Sequence, residues 1–392
     1  MHEELKKIKS LLPKFFFSLV NDLQTQGFIP ILVGGVVRDF FLNGKLGDDW
    51  DIELTHPTLS FEKGSWKDLG KDLRRYGKVT YLPYEVIRLE VSSYQLEFSP
   101  PRIENFHQNA KGHSNFSAEF DFQLPFEESV LRRDFTINAM GLRFSAQNEL
   151  EFLDPCGGLF HLREKILHSV GDHFEKDPVR FLRAHRFSQS LNFSFSPELE
   201  KKLQLMSLEG MTPSYLWGEM KKTNNPVVFL SDLVEKKEIF SFPLEKNFRE
   251  KVPLVTKVLK DPRNHLCWII ALEWVGLSSE SWSRYFSLSS SLSQKLSRWA
   301  RLCQGFKGLH PEEFQKDFDD LKNDSGFKNL FDWYFTTKQL LQKNPDLPLM
   351  EMIEEFLPNW IYLFRFDPPR DVKHIDPPYR AKYQVWNLCQ RL

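Results

Sequence analysis

Within 30 residues the chain reads as a strand, a double glycine, a helix and an acidic strand: "FIPILVGG" runs into "VVRDFFLNG", and "GDDWDIEL" follows. The apolar run stops at Gly34 and Gly35, which permit a tight strand-to-helix turn, and Asn43-Gly44 closes the helix. This opening commits the N-terminal part to a sheet with packed helices. Further strands are expected in "KVTYLPYEVIRLEV" and "YQLEFS", where β-branched and aromatic residues alternate with polar ones. Over residues 100–119 the periodicity fails and the composition turns polar, which suggests a long mobile loop. After "LDPCGG", residues 153–158, strand signals nearly vanish and apolar residues recur at i, i+3, i+4 up to residue 392. The expected fold class is α+β, with the major boundary near residues 145–160. The Ser-rich "LSSSLSQKLS" reads as the start of a helix.

At 392 residues the chain exceeds what one hydrophobic core sustains, so two or more domains are expected. No apolar run approaches the roughly 18 to 20 residues of a membrane span. "FFFSLV" is too short, and it lacks the cleavage site of a signal peptide. These features imply a cytoplasmic protein. Four scattered cysteines form no CxxC pair, which suggests neither a zinc site nor a disulfide framework. A net charge of -1 argues against a protein that coats long nucleic acids, but it permits a local basic groove that grips a short stretch of RNA.

Asp49 and Asp51 stand on either side of Trp50. Alternate strand residues share a face, so the two carboxylates project together and repel unless a proton or cation lies between them. Hard oxygen ligands at this spacing suit Mg²⁺, which typically draws one or two carboxylates plus substrate phosphates. Taken alone, the same residues also fit a solvated acidic turn. Gly34 and Gly35 open a helix whose first N–H groups and dipole can face an anion, with Arg38 one turn on. An ordinary tight turn would use the same glycines, but the combination with the paired aspartates is more specific. In "LRRDFTINAM", Arg133, Asp134 and Asn138 offer groups that fit ribose hydroxyls and phosphates, or an N-capping aspartate on a basic helix start. In "KDPVRFLRAHRF", Asp177 and Pro178 have the character of a helix start, and Arg180 lies one turn on. Arg183 and Arg186 continue a basic edge that a solvated helix face would also explain.

In this order, "LVGGVVRD", "DDWDIEL", "LRRDFTINAM", "FLDPCGG" and "KDPVRFLRAHRF" resemble the class II tRNA nucleotidyltransferase and bacterial poly(A) polymerase family, with the CCA-adding enzymes the nearest likeness. The resemblance covers residues 25–225 and fades beyond. It implies a palm-like head of mixed sheet at 1–150, a helical neck with a base-selecting motif at 151–225, and a helical, RNA-binding body and tail at 226–392. It places catalytic Mg²⁺ on Asp49 and Asp51, with Glu97 as an accessory carboxylate. It places the triphosphate on Gly34, Gly35 and Arg38, and nucleotide contacts on Arg133, Asp134 and Asn138. Asp177 and Arg180 match a protein template for the incoming base, with Arg183 and Arg186 beside them. A carboxylate accepting from an amino group and a guanidinium donating to a ring nitrogen would favour C and A over U and G. The implied substrates are CTP and ATP and the implied partner is the tRNA 3′ acceptor end. Nothing in the sequence suggests a protein partner. The chain departs from the pattern at Lys176, where the family carries glutamate, and at His168 and Tyr215, where arginine is common. It also has few basic residues in the polar loop and no His-Asp spacing of a phosphohydrolase domain.

Overall fold

The computed structural model describes residues 1–106, 116–145, 147, 149–209, 211–236 and 290–294. The chain divides into two compact units, residues 1–211 and 212–392. Two amphipathic helices open the first unit, α1 (His2–Leu11) and α2 (Lys14–Thr25). Pro13 separates them: it holds Leu12 extended at φ -70°, ψ 134°, so one helix cannot run through. Then come β1 (Ile29–Val33), α3 (Gly35–Asn43), β2 (Asp49–Thr55), α4 (Lys63–Leu73), β3 (Lys78–Leu82), β4 (Val86–Val91) and β5 (Tyr94–Ser99). A ribbon of β6 (Arg102–Phe106) and β7 (Phe116–Phe120) leads to α5 (Phe126–Ser129), two 3₁₀ turns at Val130–Arg132 and Thr136–Asn138, β8 (Gly141–Phe144) and β9 (Leu150–Leu153). The remainder is α6 (Gly158–Arg163), β10 (Ile166–Leu167), α7 (Val179–Leu191), β11 (Ser194–Phe195) and α8 (Pro197–Leu205).

Seven strands form one sheet in the order β3-β4-β5-β2-β1-β8-β9. Only the β2–β5 pair is parallel, so the sheet is mixed and the α+β reading holds. Pro30 sits in β1 without breaking the ladder, because pairing to β8 begins only at Ile31. On β2 the period of two is visible in the burial: Trp50, Ile52 and Leu54 are buried while Asp49 and Asp51 are exposed. α2 covers the Trp50 face through Phe16, whose ring meets the Trp50 ring edge-on at 4.9 Å. The opposite face carries Asp49 and Asp51. There Ile31 and Val33 join Phe126, Val130, Ala139, Leu153 and Val170 in a second apolar cluster.

The polar stretch at 100–119 departs from the expected loop. It contains the antiparallel ribbon β6–β7, registered from Arg102 opposite Phe120 to Phe106 opposite Phe116. Its signal is weak because the buried positions include an ion pair, Arg102–Glu104, rather than a run of aliphatics. Polar partners hold the other face, with the Asn105 amide donating to Glu119 at 2.9 Å. Residues 107–115 lie outside the described residues.

In the second unit, α9 (Pro213–Met220) and α10 (Pro226–Lys236) bury Leu216, Met220, Phe229, Leu230 and Leu233. Residues 290–294 are helical, in keeping with the reading of the Ser-rich stretch. The expectations for Trp268, Trp274, Trp282 and the last sixteen residues fall outside the described residues. Strands of the main sheet end at Leu153, whereas the division into units falls at residue 211.

Candidate active site

Gly34 is the geometric centre of the site. It caps α3 at φ 76°, ψ -130°, a backbone conformation open essentially to glycine alone. Gly34 has no side chain with which to cap α3, so the positive end of the helix dipole and its first N–H groups lie at this turn. A Cβ built on Gly34 would stand 3.0 Å from Arg133 Nη1 and 3.4 Å from Asp51 Oδ2. The turn, the second aspartate of β2 and the second arginine of "LRRD" therefore enclose one small space.

Register explains how Asp51 reaches it. Asp51 lies opposite Val33 of β1, the residue before Gly34, and opposite Glu97 of β5. Asp49, two residues back on the same face, lies opposite Gln95. Crowding by surrounding protein pushes the Asp51 carboxyl above the usual carboxylate range, and Glu97 adds to the rise while Arg133, Arg132 and Arg183 oppose it. A group in that position is relieved by a cation, so Asp49 and Asp51 fit the divalent ion that the sequence implies. Among the described residues no three His, Cys, Asp or Glu side chains converge into a closed metal cage. Glu97 neighbours Asp51 as expected, but its Oε1 is also held by Arg88 at 2.6 and 2.9 Å.

The arginines gather around the same space. Arg38 donates to Asn138 Oδ1 and to Asp39, and its guanidinium lies 5.0 Å from the Phe187 ring. Arg133 donates to the Asn138 carbonyl at 3.3 Å. Burial lowers the Arg133 pKa, Arg132 lowers it further, and Glu53, Asp51 and Asp134 pull it back. The Nε atoms of Arg132 and Arg133 are buried without a hydrogen-bond partner among the described residues. Buried donors left open are costly, and an anionic ligand would satisfy them.

Asn138 ends the 3₁₀ turn Thr136–Asn138 and Asp134 lies in the bend between the two 3₁₀ turns, so neither sits on the helix-like stretch the sequence suggested. Asp134 is a hub: it accepts from the Phe135 N–H and the Asn138 amide at one oxygen, and from Arg183 at 2.5 and 2.7 Å at the other. Burial alone would raise its pKa, but the Arg183 charge and the hydrogen bonds from Asn138 and Arg183 hold it down at about 2. The basic edge of α7 is likewise not a solvated face. Arg180 and Arg186 are 5% and 9% exposed, and Arg186 packs 4.1 Å from the Phe187 ring.

Asp177 accepts from the Val179 N–H at 2.9 Å, the capping role its sequence suggests, with α7 beginning one residue beyond Pro178. Arg180 Nε lies 3.9 Å from Asp177 Oδ2. Two main-chain carbonyls orient the Arg180 guanidinium, Arg132 at 2.6 Å and His173 at 3.2 Å. This explains how the arginine is held although Lys176 replaces the family's glutamate. Arg88, Glu53 and Ser129 were not singled out from sequence, and only the continuing alternation Asp49, Asp51, Glu53 hinted at the second of them.

A mixed sheet with a glycine turn, paired strand carboxylates and converging arginines defines a nucleotidyltransferase head. Residues 31–168 match the poly A polymerase head domain. A multifunctional CCA protein of Xanthomonas campestris pv. campestris is 32% identical over 213 residues, 52% of this chain and 47% of that protein. One from Vibrio parahaemolyticus is 34% identical over 52% of this chain and 48% of its own length. An A-adding tRNA nucleotidyltransferase of Aquifex aeolicus is 34% identical over 44% of this chain and 20% of that protein. The match thus spans about half the length of the first two relatives. Among solved structures, a tRNA-processing enzyme in an apo form shares the fold with TM-score 0.58 and 20% identity, over 94% of this chain and 99% of that one. A CCA-adding enzyme in complex with ATP gives TM-score 0.57 over 87% and 86%. Over its head, the chain is similar to the class II tRNA nucleotidyltransferase and poly(A) polymerase family.

Proposed function

We propose that this protein is a template-independent RNA nucleotidyltransferase that adds CCA, or part of it, to the 3′ end of tRNA from CTP and ATP. The observation that carries the reading is the convergence of Asp51, Arg133 and the uncapped start of α3 on the space over Gly34. In this proposal residues 1–150 are the catalytic head, 151–225 the base-selecting neck and 226–392 an RNA-binding body and tail, in a cytoplasmic protein.

Asp49 and Asp51 would hold Mg²⁺, which would supply charge neutralisation and orientation for the transfer. The N–H groups that open α3, with Arg38 and Arg133, bind the triphosphate and hold the α-phosphorus in line with the terminal ribose hydroxyl. Asp134 and Asn138 fix the nucleotide side of the site through Arg183 and Arg38. Asp177 and Arg180 read the base: uracil or guanine would leave buried polar groups facing like with like, at about 1–3 kcal/mol each. Much of the catalytic effect is then positioning and electrostatics.

Incubation with Mg²⁺ and single labelled nucleotides on tRNAs ending before CCA, after CC, or complete tests the reading. Three additions followed by a stop support it. Addition of A alone to the CC end would make it an A-adding enzyme, the activity named for the Aquifex relative. A growing A ladder would make it a poly(A) polymerase, and no incorporation with any substrate would overturn the proposal.

A further inference from the structure

The same face of β2 that carries Asp49 and Asp51 continues to Glu53, and this third carboxylate is fully buried at 0% exposure. A buried carboxylate persists only if it is hydrogen-bonded and charge-compensated. Ser129 Oγ donates to Glu53 Oε1 at 2.6 Å, and Arg132 Nη2 stands 3.4 Å from Oε2. Glu53 thus anchors the side chain of Arg132. The carbonyl of that same Arg132 accepts the 2.6 Å hydrogen bond from Arg180 Nη2. Two contacts, Glu53 to Arg132 and the Arg132 carbonyl to Arg180, connect the strand of the paired aspartates to the arginine of α7.

We infer that Glu53 is a positioning residue that sets the orientation of Arg180 through Arg132, so that base selection in the neck is registered to the carboxylate strand in the head. The inference rests on the proposed nucleotidyl transfer for its functional consequence, not for the linkage itself. Arg132, Arg133 and Arg102 are crowded enough for Arg132 to depress the pKa of both neighbours. Without the Glu53 charge, residues 132 and 133 lose compensation and relax apart, and the carbonyl that holds Arg180 moves with them. A neutral glutamine keeps an acceptor for Ser129, yet offers Arg132 an uncharged amide in place of a carboxylate.

The test uses the full chain with Glu53→Gln, Arg132→Met and the double variant. Each single change is expected to lower the preference for CTP over UTP, measured as the ratio of kcat/KM values, by about tenfold, and the double change by no more than either, as for two residues acting as one unit. Side-chain spectra of ¹⁵N-arginine-labelled protein, with Arg180 assigned through Arg180→Lys, supply a readout independent of turnover. The Arg180 Nε–H signal should shift in Glu53→Gln. An unmoved signal, unchanged preference in a folded Glu53→Gln protein, or effects that multiply in the double variant would each overturn the inference. If the wild-type protein incorporates no nucleotide, the functional reading fails while the spectra still decide the linkage. If Glu53→Gln does not fold, Arg132→Met, which keeps the carbonyl, decides it by the same signal.

Discussion

Asp51 illustrates how one residue can be poor for stability and apt for chemistry. Its carboxyl is crowded, sits beside Glu97 and has a raised pKa, all of which disfavour the anion in the ligand-free protein. Asp49→Ala and Asp51→Ala should each reduce incorporation by on the order of 10³-fold or more while tRNA affinity stays within experimental error. Normal turnover in either variant would remove the metal assignment. Asp134 is the opposite case. Its pKa is depressed from 3.8 to about 2 in the folded chain, so it contributes stability above its unfolded pKa and loses it as pH falls toward 2. The contribution corresponds to about 2 kcal/mol near neutral pH. Denaturant midpoints of wild type and Asp134→Asn should therefore differ most above about pH 5 and converge between pH 4 and 2. A gap that stayed constant across that range would show that Asp134 contributes through something other than its charge.

At the scale of elements, the strand–turn–helix unit β1–Gly34–α3 makes the site possible. Gly34→Ala meets two penalties: a left-handed backbone that an L side chain resists, at about 1–3 kcal/mol, and a methyl group pressed against Arg133 and Asp51. Its thermal midpoint should fall modestly, while its KM for CTP should rise at least tenfold, since the methyl occupies the anion space. Gly157→Ala is a fitting control, because it shares the positive φ, 68°, but has nothing within 4 Å of an added Cβ. Its ordinary αL backbone (ψ 30°) makes the change milder, so it should lose less stability than Gly34→Ala and keep its KM. This unit was legible in the sequence because its signals are local: apolar alternation, paired glycines and an acidic strand within one window. What was not legible depends on distance along the chain. Asp134 meets Arg183 across 49 positions and Glu53 meets Ser129 across 76, and no periodicity encodes such pairs. The β6–β7 ribbon was missed for a related reason, since a strand that buries a salt bridge lacks the apolar alternation by which strands are recognised.

Across the whole molecule the charges nearly cancel, at -1, yet Arg38, Arg132, Arg133, Arg180 and Arg183 gather within the first unit. Attraction for an anion is therefore local rather than global, and it belongs to a unit with its own apolar clusters on both sheet faces. It follows that residues 1–211 alone should unfold cooperatively and bind nucleotide. Binding is measurable without turnover: CTP with Mg²⁺ at 100 times its Kd would stabilise the fragment by about 2.7 kcal/mol, which is a shift of a few degrees for a unit of this size. The Asp51→Ala fragment should give little or no shift. The fragment should bind tRNA far more weakly than the full chain, because the proposed RNA-binding body and tail lie beyond it. Equal tRNA affinity in fragment and full chain would move the acceptor-binding surface into the head and neck. A fragment that unfolds without cooperativity would mean that the second unit completes the first, and the site would then depend on both.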